Sequence, residues 1–416
     1  MDRATVLRLM SAAFSFFVAG VSDGSIGALI PYMLREYNIS EAIVSSIYGA
    51  NFFGWFFAAI ANTHLSQYLD LGAMLALGAF FQVVAQTLRA WNPPFGLFVA
   101  TFWIVSVGQA FQDAHANTYV AGVKGAHRWL ALIHAMYMAG CLVGPFVATP
   151  IASAGEVSQW YLFYIFPLGI GIVNLAWCLV AFRDTVRFHD NKSNANVEDA
   201  AHAPAGDDAA ASRNKNALTL MKKTIKTPSV WLLSMFYFFY IGAALTASGW
   251  VTQYLVEVRG GNLSQMGYVP AGFSGGCFLG RLLLAEPTYR FGERRMVFIY
   301  ILLAVALQLV FWLVPNIIAA SVAISFIGFF TGPLFATGMS VGSKLFSQEI
   351  HSTALALIFV VAQMGGSALP IITGVIASRS GVAILQPILV GVLAATGVSW
   401  LLVPHPKTSN AAFHQE

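Results

Sequence analysis

Asp190 to Asn216 reads DNKSNANVEDAAHAPAGDDAAASRNKN. The stretch is rich in Ala, Asn and Asp and almost free of large apolar side chains, the composition of a flexible linker. The rest of the chain has the opposite character. Of its 416 residues, 57% are hydrophobic and 10% charged, and the mean hydropathy is +0.69. A bilayer's hydrocarbon core takes roughly 20 apolar residues per helix, and runs of that length occur six times on each side of the linker. Their approximate bounds are 7–34, 42–63, 73–91, 95–121, 129–153, 159–182, 229–256, 266–286, 296–314, 317–341, 353–377 and 381–403. The expected fold is an all-α membrane protein: twelve transmembrane helices in two six-helix bundles related by a pseudo-two-fold axis. The expected domains are an N-terminal bundle (1–182), a cytoplasmic linker (183–228), a C-terminal bundle (229–404) and a cytoplasmic tail (405–416).

This layout divides the charges unevenly. With the N-terminus inside, only Arg35, Arg89, Arg259 and Arg379 fall outside, against 18 internal residues among the 22 Lys and Arg. The long central loop holds eight of the 18, yet the short loops still give ten against four. The positive-inside rule therefore places both termini in the cytoplasm, and a multi-pass plasma-membrane protein is expected. Lys222, Lys223 and Lys226 read as an ordinary basic flank of the seventh span. Cys141, Cys178 and Cys277 lie inside spans, as packing residues rather than a disulfide framework. The first apolar run is too long for a signal-peptide core and is expected to stay as a helix. Asn38 and Asn262 open N-x-S tripeptides in external loops and are candidate glycosylation sites, whereas Asn191 is expected to be cytoplasmic and unmodified.

The halves repeat one another. Gly20, Gly27 and Tyr32 in span one match Gly242, Gly249 and Tyr254 in span seven, each set followed by its N-x-S tripeptide. Gly140, Pro145 and Ile151-Ala152-Ser153 in span five are answered by Gly365, Pro370 and Ile376-Ala377-Ser378 in span eleven. With twelve spans and a central loop, the chain resembles a major facilitator superfamily transporter. The superfamily's Gly-rich charged turn survives in the second half as Gly280-Arg281 and Arg290-Phe291-Gly292-Glu293-Arg294-Arg295. This resemblance implies a gating loop built on Arg281, Arg290, Gly292, Arg294 and Arg295. In the first half the turn has decayed to Leu69-Asp70-Leu71-Gly72.

Within the superfamily, the chain resembles the fucose permease-like sugar:proton symporters and their fungal relatives. The likeness rests on Gly20-Val21-Ser22-Asp23-Gly24, on Asp113 ahead of Asn117, and on His134 before a Gly-Pro segment. The Glu that such relatives often carry in helix seven is absent: Gly242-Ala243-Ala244-Leu245 stands there before Gly249-Trp250.

Ionisable residues deep in a span cost roughly 2.5–3.5 kcal/mol on insertion scales and call for a task or a partner. Asp23, Asp113, His115 and His134 are such residues, all in the N-terminal half. Asp23, Asp113 and His134 are the candidates for proton coupling. Gln109, Asp113 and Asn117 recur every fourth residue and so share one helical face, where amides would hydrogen-bond a polar solute or merely glue helices together. His115 falls on another face. Gln109, Asn117, Tyr137, Tyr240, Trp250, Gln253 and Gln363 are the candidate substrate contacts. Gly140, Gly144 and Pro145 read as a hinge or packing seam.

The leading expectation is a secondary carrier that moves a small polar organic solute, sugars included, with protons by alternating access. An efflux pump for a secondary metabolite and a non-transporting nutrient receptor are the alternatives. An enzyme is not indicated. No cofactor, metal or nucleic acid is expected, and the partners are the solute, protons and the lipid bilayer around a monomer.

Overall fold

The computed structural model describes residues 2–66, 68–186, 219–347 and 350–404. The linker stretch 190–216 with Asn191 and the tail 405–416 lie outside these residues. Twelve main helices are numbered here as α1 (Arg3–Tyr37), α2 (Glu41–Asn62), α3 (Leu71–Arg89), α4 (Phe95–Ala121), α5 (Ala126–Ser153) and α6 (Ile165–Ala181), then α7 (Pro228–Glu257), α8 (Val269–Leu283), α9 (Glu293–Leu313), α10 (Ile317–Leu345), α11 (His351–Ser380) and α12 (Leu385–Leu402). Among the described residues, eleven helical spans are long and apolar enough to cross a membrane. The remaining helix, α8, has 15 residues where the sequence predicts a span over 266–286. Pro270 starts α8 in its first turn. Pro287 cannot donate an amide to a helix running into it, so the chain breaks at Leu284 and restarts as Ala285–Phe291.

Helices suit this chain because a bilayer offers backbone groups no water, so each must be satisfied within its own segment. Local side chains set several ends. Asp2 accepts from the Thr5 amide at 3.0 Å to begin α1, and Asn316 does the same for the Ala319 amide to begin α10. Asn38 ends α1 in the left-handed region at φ 48°, a conformation asparagine tolerates better than most side chains. Inside α1 the helix is interrupted at Ser25, whose hydroxyl donates to the Ser22 carbonyl at 2.8 Å.

The pairings repeat between halves. α1 packs on α5 as α7 packs on α11; α2 on α4 as α8 on α10; α3 on α6 as α9 on α12. Every pairing in the first bundle recurs with six added to each helix number, as an internal two-fold repeat requires. The two bundles meet along α2 with α11, along α5 with α8, and along the second half of α1 with α7. Phe53, Phe56 and Ile60 on α2 remain exposed on the outside of the structure, as residues facing lipid would be. Arg8 on α1 pairs with Asp184 after α6 at 2.6 Å, and its guanidinium holds the Asp184 carboxyl below the usual carboxylate range. The start of the first bundle and its end thus share one side of the molecule, called the terminal side below.

Candidate substrate cavity

The α1–α5 contact builds the core of the site. A methyl group added to Gly20 would strike the Tyr137 carbonyl oxygen, and one added to Gly140 would strike that of Phe17. Gly24 and Gly144 continue the line against Cys141 and Val21. The predicted seam is therefore a backbone-to-backbone contact, the use to which small residues are put between membrane helices. At this separation Tyr137 reaches across and donates its hydroxyl to Asp23 Oδ2 at 2.9 Å. From α4, Gln109 Nε2 donates to Asp23 Oδ1 at 2.9 Å. Both oxygens of the carboxylate are thus held by neutral donors from two other helices.

Asp23 lines a cavity of about 220 Å³ between the bundles. The first bundle supplies Asp23, Gln109, Asp113, His134 and Tyr137 of the predicted residues; the second supplies Tyr240, Gln363 and Arg281. His134 lies between Phe16 and Phe335, with ring centroids 5.2 and 5.7 Å away. Tyr240 points its hydroxyl at the Thr331 carbonyl, 3.1 Å away, so it offers the cavity mainly its ring.

Three predicted contacts lie elsewhere. Asn117 turns back along its own helix, donating to the Asp113 main-chain oxygen at 2.9 Å, so the α4 stripe reaches the cavity at Gln109 and Asp113 only. Trp250 is 1% exposed and donates its indole N–H to the Pro370 carbonyl at 3.2 Å. It packs in the core where the sequence suggested a stacking surface. Gln253 hydrogen-bonds Glu257, one turn along α7. His115, on another face of α4 as expected, meets Asn62 on α2 at 2.8 Å.

The residues of the predicted gating loop divide in the same way. Arg281 crosses the bundle boundary, donating from Nη1 to the main-chain oxygen of His134 at 3.0 Å and from Nε to that of Gly332 at 3.2 Å. The others engage their own bundle. Arg290 pairs with Glu286, and Arg294 donates to the Leu401 carbonyl at 2.8 Å. Gly292, at φ +95°, turns the chain into α9, whose first turn holds Arg295. Glu293 pairs with Lys344 at 2.7 Å. Of the candidate glycosylation sites, Asn38 caps α1, and Asn262 caps the short helix Leu263–Met266 while accepting from the Ser264 amide at 3.0 Å.

On the side away from the termini the bundles are sealed by close backbone approach. Gly27 abuts the Ser248 carbonyl, Gly249 abuts the Tyr48 hydroxyl, and Gly374 lies against Glu41 and Ser45. The cavity lies between this seal and the terminal side.

Several lining residues escaped the sequence reading. Asn51 and Trp55, four residues apart on α2, both line the cavity; Asn51 accepts from Ser106, and Trp55 meets Phe359 of α11 edge-on at 5.7 Å. A polar Asn in an otherwise apolar span was the available signal. From the cavity wall, Gln112 accepts from Gln82 at 2.7 Å and from Asn174 at 3.2 Å, and Asn174 in turn accepts from Ser15, also in the wall, at 2.8 Å. This amide cluster ties α1, α3, α4 and α6 together.

Comparison with known proteins agrees with this architecture. The family described as Major Facilitator Superfamily matches residues 12–287 and 264–416. Bypass of stop codon protein 6 from Saccharomyces cerevisiae is 27% identical over 421 residues, spanning 96% of this chain and 82% of the yeast protein. Among solved structures, a bacterial homolog of the human lysosomal transporter Spinster, inward-facing and unoccupied, superposes with a TM-score of 0.71 at 14% identity, covering 99% of this chain and 96% of the other. The transporter FucP in its outward conformation gives a TM-score of 0.64 at 16% identity, over 97% of this chain and 100% of the other. By its sequence match and its two repeated bundles, the chain belongs to the major facilitator superfamily and is a membrane transporter rather than an enzyme.

Proposed function

We propose that this transporter carries a small polar organic solute, a single-ring sugar among the candidates, in company with protons by alternating access. The charge asymmetry of its loops supports cytoplasmic termini, and the plasma membrane is the proposed location. The observation that carries the reading is the division of labour across the cavity. Asp23 and Asp113 line it from the first bundle; the amide of Gln363 and the ring of Tyr240 line it from the second. Ionisable residues that face an interior cavity of a membrane protein are those that mark ion pathways and proton relays. A cavity of about 220 Å³ falls below the roughly 300–1,000 Å³ of drug-sized sites, which favours a solute of one ring. Asp23, Asp113 and His134 are the proton-coupling residues of this reading, and Gln109, Tyr137, Tyr240 and Gln363 the solute contacts. A second reading, export of a less polar metabolite, draws on the rings of Trp55, Phe335 and Phe359 in the cavity wall.

The test is solute-induced proton flux in proteoliposomes of known orientation, with sugars, organic acids and aromatic metabolites as the panel. One solute class is expected to drive proton movement in the wild type. Asp113→Asn is expected to lower that flux by roughly 5- to 150-fold, the usual span of a coupling free energy. Full pH-dependent transport by Asp113→Asn would remove Asp113 from the relay. Solute movement without protons would make the protein a facilitator and return both aspartates to structural roles. Metabolite tolerance unchanged by deletion and by overexpression would count against export.

A further inference from the structure

Arg89 was expected in an external loop on the sequence pattern, yet it ends α3 with 1% of its surface exposed. Its surroundings are unusual for a buried cation. Nε donates to Thr101 Oγ1 at 2.7 Å, and the guanidinium lies over Phe102 at 3.9 Å, with Tyr164 and Phe98 at 5.2 and 5.8 Å. Nη2 is buried and has no hydrogen-bond partner. Ring faces recover part of the cost of a desolvated cation, but a buried charge generally also needs an opposite charge. No carboxylate appears among these contacts. Asp23 lies on the stretch of α1 that this end of α3 meets through Gln86, one turn before Arg89. There Gln86 Nε2 donates to Ser22 Oγ at 3.1 Å, and Ser22 precedes Asp23.

We infer that Arg89 is a positioning residue for the proton site, a fixed positive charge held in an aromatic cage behind Asp23 that sets how firmly Asp23 holds its proton. The inference rests on the reading of Asp23 as a proton-coupling residue. Arg89 does not line the cavity, so it acts on Asp23 without meeting the solute. Its place in the last turn of α3, where a cation complements the helix dipole, supplies a purely structural alternative. The other ionisable groups lining the cavity with Asp23 are Tyr48 on α2, Asp113 on α4, His134 and Tyr137 on α5, Tyr240 on α7 and Cys277 and Arg281 on α8; Cys141 of α5 packs against Gly24, and Cys178 of α6 lies farther along α1, against Ser11 and Ser15. Arg281 is the one other cation in this set, and it is committed to two main-chain oxygens.

The test reads Asp23 directly. Dicyclohexylcarbodiimide modifies protonated carboxyl groups in apolar sites, and mass spectrometry of the full chain in detergent gives the modification of Asp23 against pH. Removing a nearby positive charge disfavours the carboxylate, so the protonated acid persists to higher pH. Arg89→Gln is expected to move the midpoint upward by about one pH unit, the order a single buried charge produces, and Arg89→Lys is expected to keep the wild-type midpoint. An unmoved midpoint in Arg89→Gln, or an equal shift in Arg89→Lys, would overturn the inference and leave Arg89 as a packed helix end. If Arg89→Gln does not accumulate, the doubly neutral Asp23→Asn/Arg89→Gln must restore the protein, and failure to do so would refute the pairing. Because labelling needs no transport, a wild type that moves solute without protons would defeat the coupling proposal while this measurement still decides the role of Arg89.

Discussion

Asp23→Asn is expected to reduce solute-driven proton flux to background while the protein still binds its solute and exchanges it across the membrane. The geometry explains why the two activities separate. Asparagine has the shape of aspartate, and the neighbours of Asp23 can adapt to it. Tyr137 still donates to the remaining oxygen, and the Gln109 amide turns so that its oxygen accepts from the new N–H₂. The side chain keeps its partners and loses its proton. Proton flux should fall to background, with counterflow within about twofold of wild type in the same vesicles. Asp23→Leu is the informative contrast. It leaves a buried tyrosine hydroxyl and an amide unpaired, at about 1–3 kcal/mol each, so expression and thermal stability should fall along with both activities. Equal loss of counterflow in Asp23→Asn and Asp23→Leu would mean that Asp23 holds the helices together and moves no proton.

The second large effect is expected at Gly27. Its Cα lies so close to the Ser248 carbonyl across the bundle boundary that no side chain fits without the helices parting. Gly27→Leu should therefore penalise the conformation described here and favour the one in which the far side opens. Overpacking costs about 1–3 kcal/mol, enough to move a two-state population by roughly 5- to 150-fold. Cys277, which lines the cavity, provides the readout. With Cys141 and Cys178 replaced by alanine, an impermeant maleimide added on the side away from the termini should label Cys277 in Gly27→Leu at least about fivefold faster than in the glycine parent. Net transport should fall, because a carrier held open to one side completes few cycles. Unchanged labelling would show that the α1–α7 contact does not form the seal.

The twelve-helix plan was legible because hydropathy reports burial in lipid directly, and the α5 side of the seam was legible because Gly140 and Gly144 have little use inside a helix other than close approach, while its α1 side, Gly20 and Gly24, needed the structure. Asp23, Asp113 and His134 were legible as polar atoms in apolar runs. What escaped depended on direction. Asn117 shares a helical face with Gln109 yet satisfies itself on its own backbone; Trp250 was counted as a ring for stacking, and its indole N–H instead found the Pro370 carbonyl. Arg89 escaped for a different reason. A charge at the end of an apolar run reads as the start of a loop, and nothing in its immediate neighbours announces that Thr101, Phe102 and Tyr164, from two other helices, will enclose it. Trp55 and Phe359 needed the pairing of α2 with α11, a property of the assembled bundles.

The bond from Arg281 to the main-chain oxygen of His134 carries an evolutionary implication. Its acceptor is a carbonyl that every residue type possesses, so position 134 can exchange its side chain without erasing the bridge. Correlated substitution, which reveals contacts between side chains, would therefore be silent about this pair. The connection between the halves is free to persist through sequence drift that alters the imidazole, and with it any proton chemistry, so the mechanical and chemical roles of this position can be inherited separately.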